Sequence, residues 1–520
     1  MRQLTGRDAG FLVADSANAS ANANVSLLHI FDQATVAGGV LRFKTVLAHI
    51  ERRLSAAPLF RQRLQRVPLG LGHPYWVDDP HFDLEYHVRH IALPKPGDWR
   101  QFCIQTSRIH ARALDFERPL WEAYVIEGLD SFLDLAEGSV ALLLKTHLAA
   151  VGLQQLSHIS ALLLDSSAHP PADGPPVPWF ADAVPGRLAL LGRSLVQAAA
   201  QTVKQPASAP LRLALPLAHA AARVAPAAAA LAGEWLLRPP PLPATRFNSA
   251  LSPHRVFETR RFTEAEFDQV RGLVPGATLD DAVLTVCGGA LRRYLDAQGE
   301  LPEQQSLLAI MPLPAPPVRV DQRAGDPISD PNGDPNRDPN GDPNGDQNGA
   351  REGAPPGSRP PPAWRARPLG TQIADPLQRL AAIRAAAVAA ADAPLPALSW
   401  ARRLAGRAGA HLAPHAPAGH VSITRLPAPA QPLYLCGARM TYFSAILPIS
   451  DGLGLAFAVT RYDGRVVISP TSCRELMPDP ELFALCLRDS FQEYLALALA
   501  RGVAVKKLAA PGRRAARKGI

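Results

Sequence analysis

Apolar positions in the first third of the chain recur in two rhythms. Val25–Phe31 (VSLLHIF) and Trp121–Leu129 (WEAYVIEGL) have the length and composition of strands. Ser139–Leu148 is apolar on both faces, which predicts a central strand covered from two sides. Leu41–Leu54 and Leu153–Leu164 place apolar residues at helical spacing, and Phe102–Leu114 reads the same way. Pro74–Leu93 predicts strand, turn, strand. A second mixed series opens near Arg255 with a strand (VFETRRF) and a helix at Glu264–Leu273. Thr278 then reads as the N-cap of a further helix, with Asp281 three residues on favouring its first turn. Gly437–Leu447 and the run LGLAFAVTRYDGRVVIS supply later strands, the latter with a hairpin turn at Tyr462-Asp463-Gly464-Arg465. Pro480–Leu499 is a closing helix.

Strands alternating with helices in two series predict an α/β (α+β) fold of two domains, each a mixed sheet with helices. Their expected bounds are residues 1–180 and 251–500. The Ala/Pro-rich stretch 181–250 is expected to join them as short helices. Within the second domain, Asp326–Gly349 is a low-complexity run of Asp-Pro and Asn-Gly, with almost nothing apolar to bury. It predicts a disordered insertion extending over residues 321–368, where the spacing of an EF-hand calcium loop is missing. Residues 501–520 form a basic tail without acids.

Composition narrows the class further. Of 520 residues 47% are hydrophobic and 19% charged, as in a globular protein with a sizeable core. Five cysteines, none in C-x-x-C spacing, argue against a disulfide framework and a structural zinc site, and for a reducing compartment. The N-terminus lacks the apolar stretch of a signal peptide, and no run of about 20 apolar residues is present. The expected location is therefore cytoplasmic, soluble or peripheral. Net charge is +8, but no basic helix with interleaved aromatics points to nucleic acid.

The sharpest candidate for chemistry is Lys145–Leu153 (KTHLAAVGL), where a buried strand runs into a loop before a helix. His147 at the strand end, near a glycine that lets the chain turn, could take a proton from a hydroxyl attacking an acyl carbonyl. The same pattern also fits a strand-end histidine satisfied by a backbone carbonyl.

Longer segments bear on that choice. LTGRDAGFLVAD, FRQRLQRVPLGLGHPYWVDDPHFDLEYHVRHIALPKPGDW, LDFERPLWEAYVIEGLD, TLDDAVLTVCGGALRRYL, PLYLCGARM and YDGR together resemble the bacterial wax ester synthase/diacylglycerol acyltransferase family, nearly end to end. The resemblance implies two CoA-dependent-acyltransferase-like domains with a tunnel between them, admitting acyl-CoA from one side and an alcohol from the other. It implies acyl-CoA and diacylglycerol or a fatty alcohol as substrates, and neither metal nor prosthetic group. It also implies a peripheral place on the inner membrane face or lipid droplets.

The family's His-His-x-x-x-Asp-Gly motif falls on Thr146–Gly152. The resemblance thus assigns the general base to His147, with Thr146 in place of the first His, Val151 in place of the Asp, and Gly152 kept. In this acyltransferase type the motif Asp holds the loop through a charge pair, which Val151 cannot make. The family's Asn-Val-Pro-Gly-Pro reads Arg425-Leu426-Pro427-Ala428-Pro429, and its Asn-Asp pair reads Asp280-Asp281, keeping the acid. Pro119-Leu120-Trp121-Glu122 matches intact, as a strand start with Trp121 packed. His158 reads as an ordinary helix-face residue. Two functions follow: an acyltransferase moving a fatty acyl group to diacylglycerol or a long-chain alcohol, or an impaired relative that binds acyl chains or lipid without turnover.

Overall fold

The computed structural model describes residues 1–170, 179–196, 243–312, 364–392 and 419–502, apart from positions 5, 18, 19, 21, 37, 69–71, 132–134, 187, 195, 428 and 430. Most of the expected linker, the Asp-Pro-Asn-Gly insertion and nearly all of the basic tail lie outside the described residues.

In chain order the first half holds β1 (Arg2–Gln3), α1 (Gly6–Ala17), β2 (Asn24–Asp32), α2 (Phe43–Arg53), β3 (Gln62–Gln65), β4 (Tyr75–Asp78), α3 (Leu84–His87), β5 (Val88–Ala92), α4 (Trp99–Ala111), β6 (Trp121–Leu129), β7 (Ser139–His147) and α5 (Leu156–Leu163). The second holds β8 (Arg255–Phe257), β9 (Arg260–Thr263), α6 (Glu264–Gly272), α7 (Leu279–Ala297), β10 (Leu308–Pro312), β11 (Trp364–Pro368), α8 (Pro376–Asp392), β12 (Val421–Arg425), β13 (Tyr434–Leu435), β14 (Ala438–Ile446), β15 (Ala456–Tyr462), β16 (Arg465–Cys473) and α9 (Pro480–Ala500). A six-stranded sheet runs β13-β14-β2-β7-β6-β5, and a second runs β11-β10-β12-β15-β16-β8 with β9 also on β16. The small sheet β1-β4-β3 stands apart.

Strand β7 is buried along its whole length, between β2 and β6, as its two-sided apolar pattern requires. Alternation divides its residues between two layers. Val140, Leu142 and Leu144 join the main core with Val46 and Ile50 of α2 and Ile159 of α5. Ala141 and Leu143 face the other way, with Phe102 and Ile109 of α4, Phe257 of β8 and Val467 of β16. That second layer holds residues of both sheets. Trp99 of α4 donates its indole N–H to Glu258, between β8 and β9, at 2.7 Å.

Three differences from the sequence expectations have local causes. VFETRRF is two short strands, because the partner strand carries Pro470, which has no N–H for the ladder opposite Glu258 and Thr259. Trp364–Pro368, expected within the disordered insertion, is strand β11, paired antiparallel with β10 from Leu308↔Pro368 to Pro312↔Trp364. Between the strands of Pro74–Leu93, Leu84–His87 forms a helical turn capped by Asp83, whose side chain accepts from the Glu85 N–H. Strand β14, late in the chain, pairs with β2 from Arg439↔Asp32 to Ile446↔Ser26 and so belongs to the first sheet. The hairpin at Asp463-Gly464 has φ of 50° and 69° at its two central residues, the mirror-turn geometry that Asp-Gly favours.

Candidate functional site

His147 ends β7 opposite Asn24 of β2, on the layer that faces α4. Its side chain is 1% exposed. The Ala149 N–H donates to Nδ1 at 3.1 Å, so Nδ1 is an acceptor, and in the neutral ring the proton resides on Nε2. Nε2 in turn lies 2.8 Å from Oδ2 of Asp15, on the last turn of α1. Phe116 packs edge-on against the imidazole with ring centroids 5.4 Å apart. The chain then turns back on itself, with the N–H groups of Ala150 and Val151 both donating to the His147 carbonyl.

The neighbouring motif positions serve other ends. Thr146 points into the opposite layer, where its hydroxyl donates to the Leu120 carbonyl at 3.2 Å. Val151 is 2% exposed and belongs to the main apolar core. The turn does not use the conformational freedom of Gly152, contrary to expectation: its φ of −66° is open to any residue, and its carbonyl begins a short 3-10 turn at Leu153–Gln155. His158 is exposed on α5.

Two residues back along β7, Lys145 is fully buried on the same layer as His147. Its ammonium donates to the carbonyls of Ile109 and Arg112, closing the C-terminus of α4, and lies 3.6 Å from Glu122. Burial lowers the Lys145 pKa to about 8, against the opposing pull of Glu122. Glu122, from the Pro-Leu-Trp-Glu segment, also accepts from the Tyr124 hydroxyl at 2.9 Å. Burial, then the adjacent carboxylate, pushes that phenol up to about 12. Asn22 and Asn24 donate their amides to the Ala111 and Arg112 carbonyls, and Ser26 bonds His110. Burial first, then Arg255 and Lys145, hold His110 well below its ordinary range, hence neutral. Trp121, in the other layer, is 1% exposed, stacks on His87 and donates to the Phe60 carbonyl.

Asp281 is held elsewhere. It sits in the first turn of α7, closes a capping box with Thr278 as the sequence predicts, and accepts from Arg367 of β11 at 3.0 Å and Arg384 of α8 at 3.5 Å. Asp280 pairs with Arg425 at 2.8 Å beside a surface cleft lined by Pro427, Pro429 and Arg461. Sequence reasoning missed Asp15 as the residue against His147. It lies 132 positions upstream, and no local spacing announces the contact. Among the described residues no group of three His, Cys, Asp or Glu could hold a metal ion.

Residues of both mixed sheets meet in a layer that ends in a buried imidazole. The chain matches the wax ester synthase/diacylglycerol acyltransferase catalytic domain over residues 4–283 and the C-terminal domain of the same group over residues 366–494. It belongs to that family and is an acyltransferase. A Mycobacterium tuberculosis protein named as a diacylglycerol O-acyltransferase is 29% identical over 497 residues, covering 92% of this chain and 87% of that protein. Another from the same organism, named alike, is 32% identical over 333 residues, 61% of this chain and 64% of its own length. The wax ester synthase/diacylglycerol acyltransferase of Marinobacter aquaeolei shares the fold, with a TM-score of 0.63 at 22% identity, over 95% of this chain and 99% of that one. Acyl transfer is favoured over lipid binding without turnover.

Proposed function

We propose that the chain moves a fatty acyl group from acyl-CoA to the hydroxyl of diacylglycerol or of a long-chain alcohol, with His147 as the general base. The observation that carries the base assignment is the ring itself. It is buried at the end of a central strand, in a layer that holds residues of both sheets, and both nitrogens have named partners. The acceptor oxygen attacks the thioester carbon while its proton passes to the imidazole. The tetrahedral intermediate then expels CoA, which leaves as the thiol with that proton. No helix among the described residues is long and apolar enough to cross a membrane. Diacylglycerol and long alcohols reside in lipid phases, so the protein works peripherally, at a membrane or lipid-droplet surface.

The test is ester formation from radiolabelled acyl-CoA, with diacylglycerol and hexadecanol offered separately to wild type and to His147→Ala. Turnover should fall by roughly 10²–10⁴-fold in the variant, the usual worth of a positioned base, with acyl-CoA binding retained. A wild-type protein that binds acyl-CoA and never consumes it would support lipid binding without turnover instead.

A further inference from the structure

Residues 179–196 lie as an outer layer on the small sheet β1-β4-β3. On one face of that sheet, Leu64 of β3 and Trp76 of β4 pack with Leu4, Leu114 and Leu120. On the other, Tyr75 and Val77 of β4 pack with Val67 and Leu190. Arg61 sits over the Trp179 ring at 4.7 Å, and the Asp182 N–H donates to Asp78 at 3.3 Å. Residues 188–194 and 196 are helical, with Leu190 and Ser194 buried four residues apart. Helical spacing puts Leu188, Gly192 and Val196 on the opposite face. There Leu188 is 83% exposed and Val196 70%, and Phe180, ahead of the helix, is 86% exposed. No other large apolar side chain among the described residues is as exposed as these three.

Contacts from beneath pin the segment, so its outer face stays towards solvent. An apolar face kept in that position marks an interaction site. Its chemistry points to lipid. Leu188, Ala189, Gly192 and Val196 offer no hydrogen-bonding side chain, whereas a protein interface carries about one hydrogen bond per 100–200 Å². The charge is of one sign. Arg193 beside the face is exposed, and the sequence from Ala183 to Gly233 holds five basic residues and no acid. An apolar face with a cationic flank suits a surface of anionic headgroups over acyl chains.

We propose that the outer face of residues 180–196 is the surface by which this chain docks on anionic lipid. Phe180, Leu188 and Val196 enter the boundary of the acyl region, and Arg193 stays among the headgroups. The small sheet thereby lies nearest the lipid. The proposal rests on the reading that the protein works peripherally at a lipid surface, and it names the face that does so.

Sedimentation with vesicles tests this, using phosphatidylcholine alone and an equal mixture with phosphatidylglycerol. Wild type should partition more strongly onto the mixed vesicles, and salt should weaken that preference. The triple variant Phe180→Gln, Leu188→Gln, Val196→Gln should bind the mixed vesicles on the order of 10–100-fold more weakly. Its melting temperature should not change, because these side chains are largely in solvent already. Arg193→Glu should reduce the preference for the anionic vesicles, and Leu188→Trp should tighten binding. If the triple variant fails to fold, Leu188→Trp decides, and unchanged binding overturns the proposal. A folded triple variant that binds as wild type overturns the docking face alone, whereas a wild type that binds neither vesicle overturns the peripheral reading too. Unchanged binding with a lowered melting temperature would mean that the protein's own chain covers the face. A wild-type dimer that the triple variant turns into a monomer, with vesicle binding intact, would give the face to a second copy and sink the proposal as well.

Discussion

The end of β7 and the start of α7 are two places where the family's motifs carry an acid, and they solve the same electrostatic problem in opposite ways. At α7 the acid is present. Asp281 is 1% exposed, and its carboxylate accepts from the backbone and hydroxyl of Thr278, from Arg367 and from Arg384. At β7 the acid is absent. Val151 lies in the same apolar core as Leu148 and Leu156, and the carboxylate near the histidine comes from another element. The lesson is about coupling. Asp281 is built into its surroundings, so its removal strands two guanidinium groups and a helix start. Val151 is a buried member of the apolar core, where an introduced charge would be desolvated.

Asp281→Ala should show the largest stability effect of any single change in either region. Removing one partner of a buried ion pair costs about 3–5 kcal/mol, because the remaining charge stays desolvated, and Arg367 is only 12% exposed. Urea unfolding should report the loss through a lower midpoint at unchanged slope. If the midpoint holds and only turnover falls, Asp281 acts at the reaction centre and the contrast between the regions collapses.

What could be read locally, and what could not, follows the same division between near and distant contacts. Strand β7 is legible because Val140–Leu144 are five consecutive apolar residues within a strand buried along its whole length. The α7 start is legible because its cap partners, Thr278 and Asp281, are three residues apart. The Asp463-Gly464 hairpin is equally local. By contrast, pairing of β14 with β2 joins residues about as far apart as Ser26 and Ile446, and no periodicity in either strand names its partner. Strand β11 was hidden because it follows directly on a Pro/Arg-rich stretch, and its stability comes from β10 and the reach of Arg367 to Asp281. The site divides likewise. The placement of His147 at a buried strand end is a local matter, whereas the ring's partner Asp15 is a tertiary one.

Val151→Asp sharpens the comparison by installing the missing acid. The side chain is 2% exposed among apolar neighbours, so the carboxyl enters with its desolvation uncompensated, at about 2–4 kcal/mol. Burial disfavours the charged form and raises the folded-state pKa of such an acid. The folded protein then holds a proton that the unfolded chain releases, so stability falls as pH rises from about 4, the unfolded value for Asp. Melting temperature should thus drop more at pH 7 than at pH 5, with no gain in turnover. A stable, faster Val151→Asp enzyme would mean that a cation waits beside the loop after all.

Gly152→Ala should have the smallest effect, and that smallness is itself informative. The glycine is the kept residue of the motif, yet a Cβ built on it meets nothing within 4 Å. Its φ of −66° and ψ of 153° suit alanine as well as glycine. Two small terms then oppose each other. Alanine restricts the unfolded chain, which stabilises by about 0.4–1 kcal/mol where the native backbone allows it. Alanine is also a poorer residue than glycine at the cap of a helical turn, by several tenths of a kcal/mol. The sum stays within about 0.5 kcal/mol of zero, and kcat should be unchanged because no contact of His147 passes through the added methyl. A large loss of turnover at unchanged stability would show that the open space at Gly152 is occupied when substrate is bound, which would extend the acceptor's path from the ring of His147 to the far side of this turn.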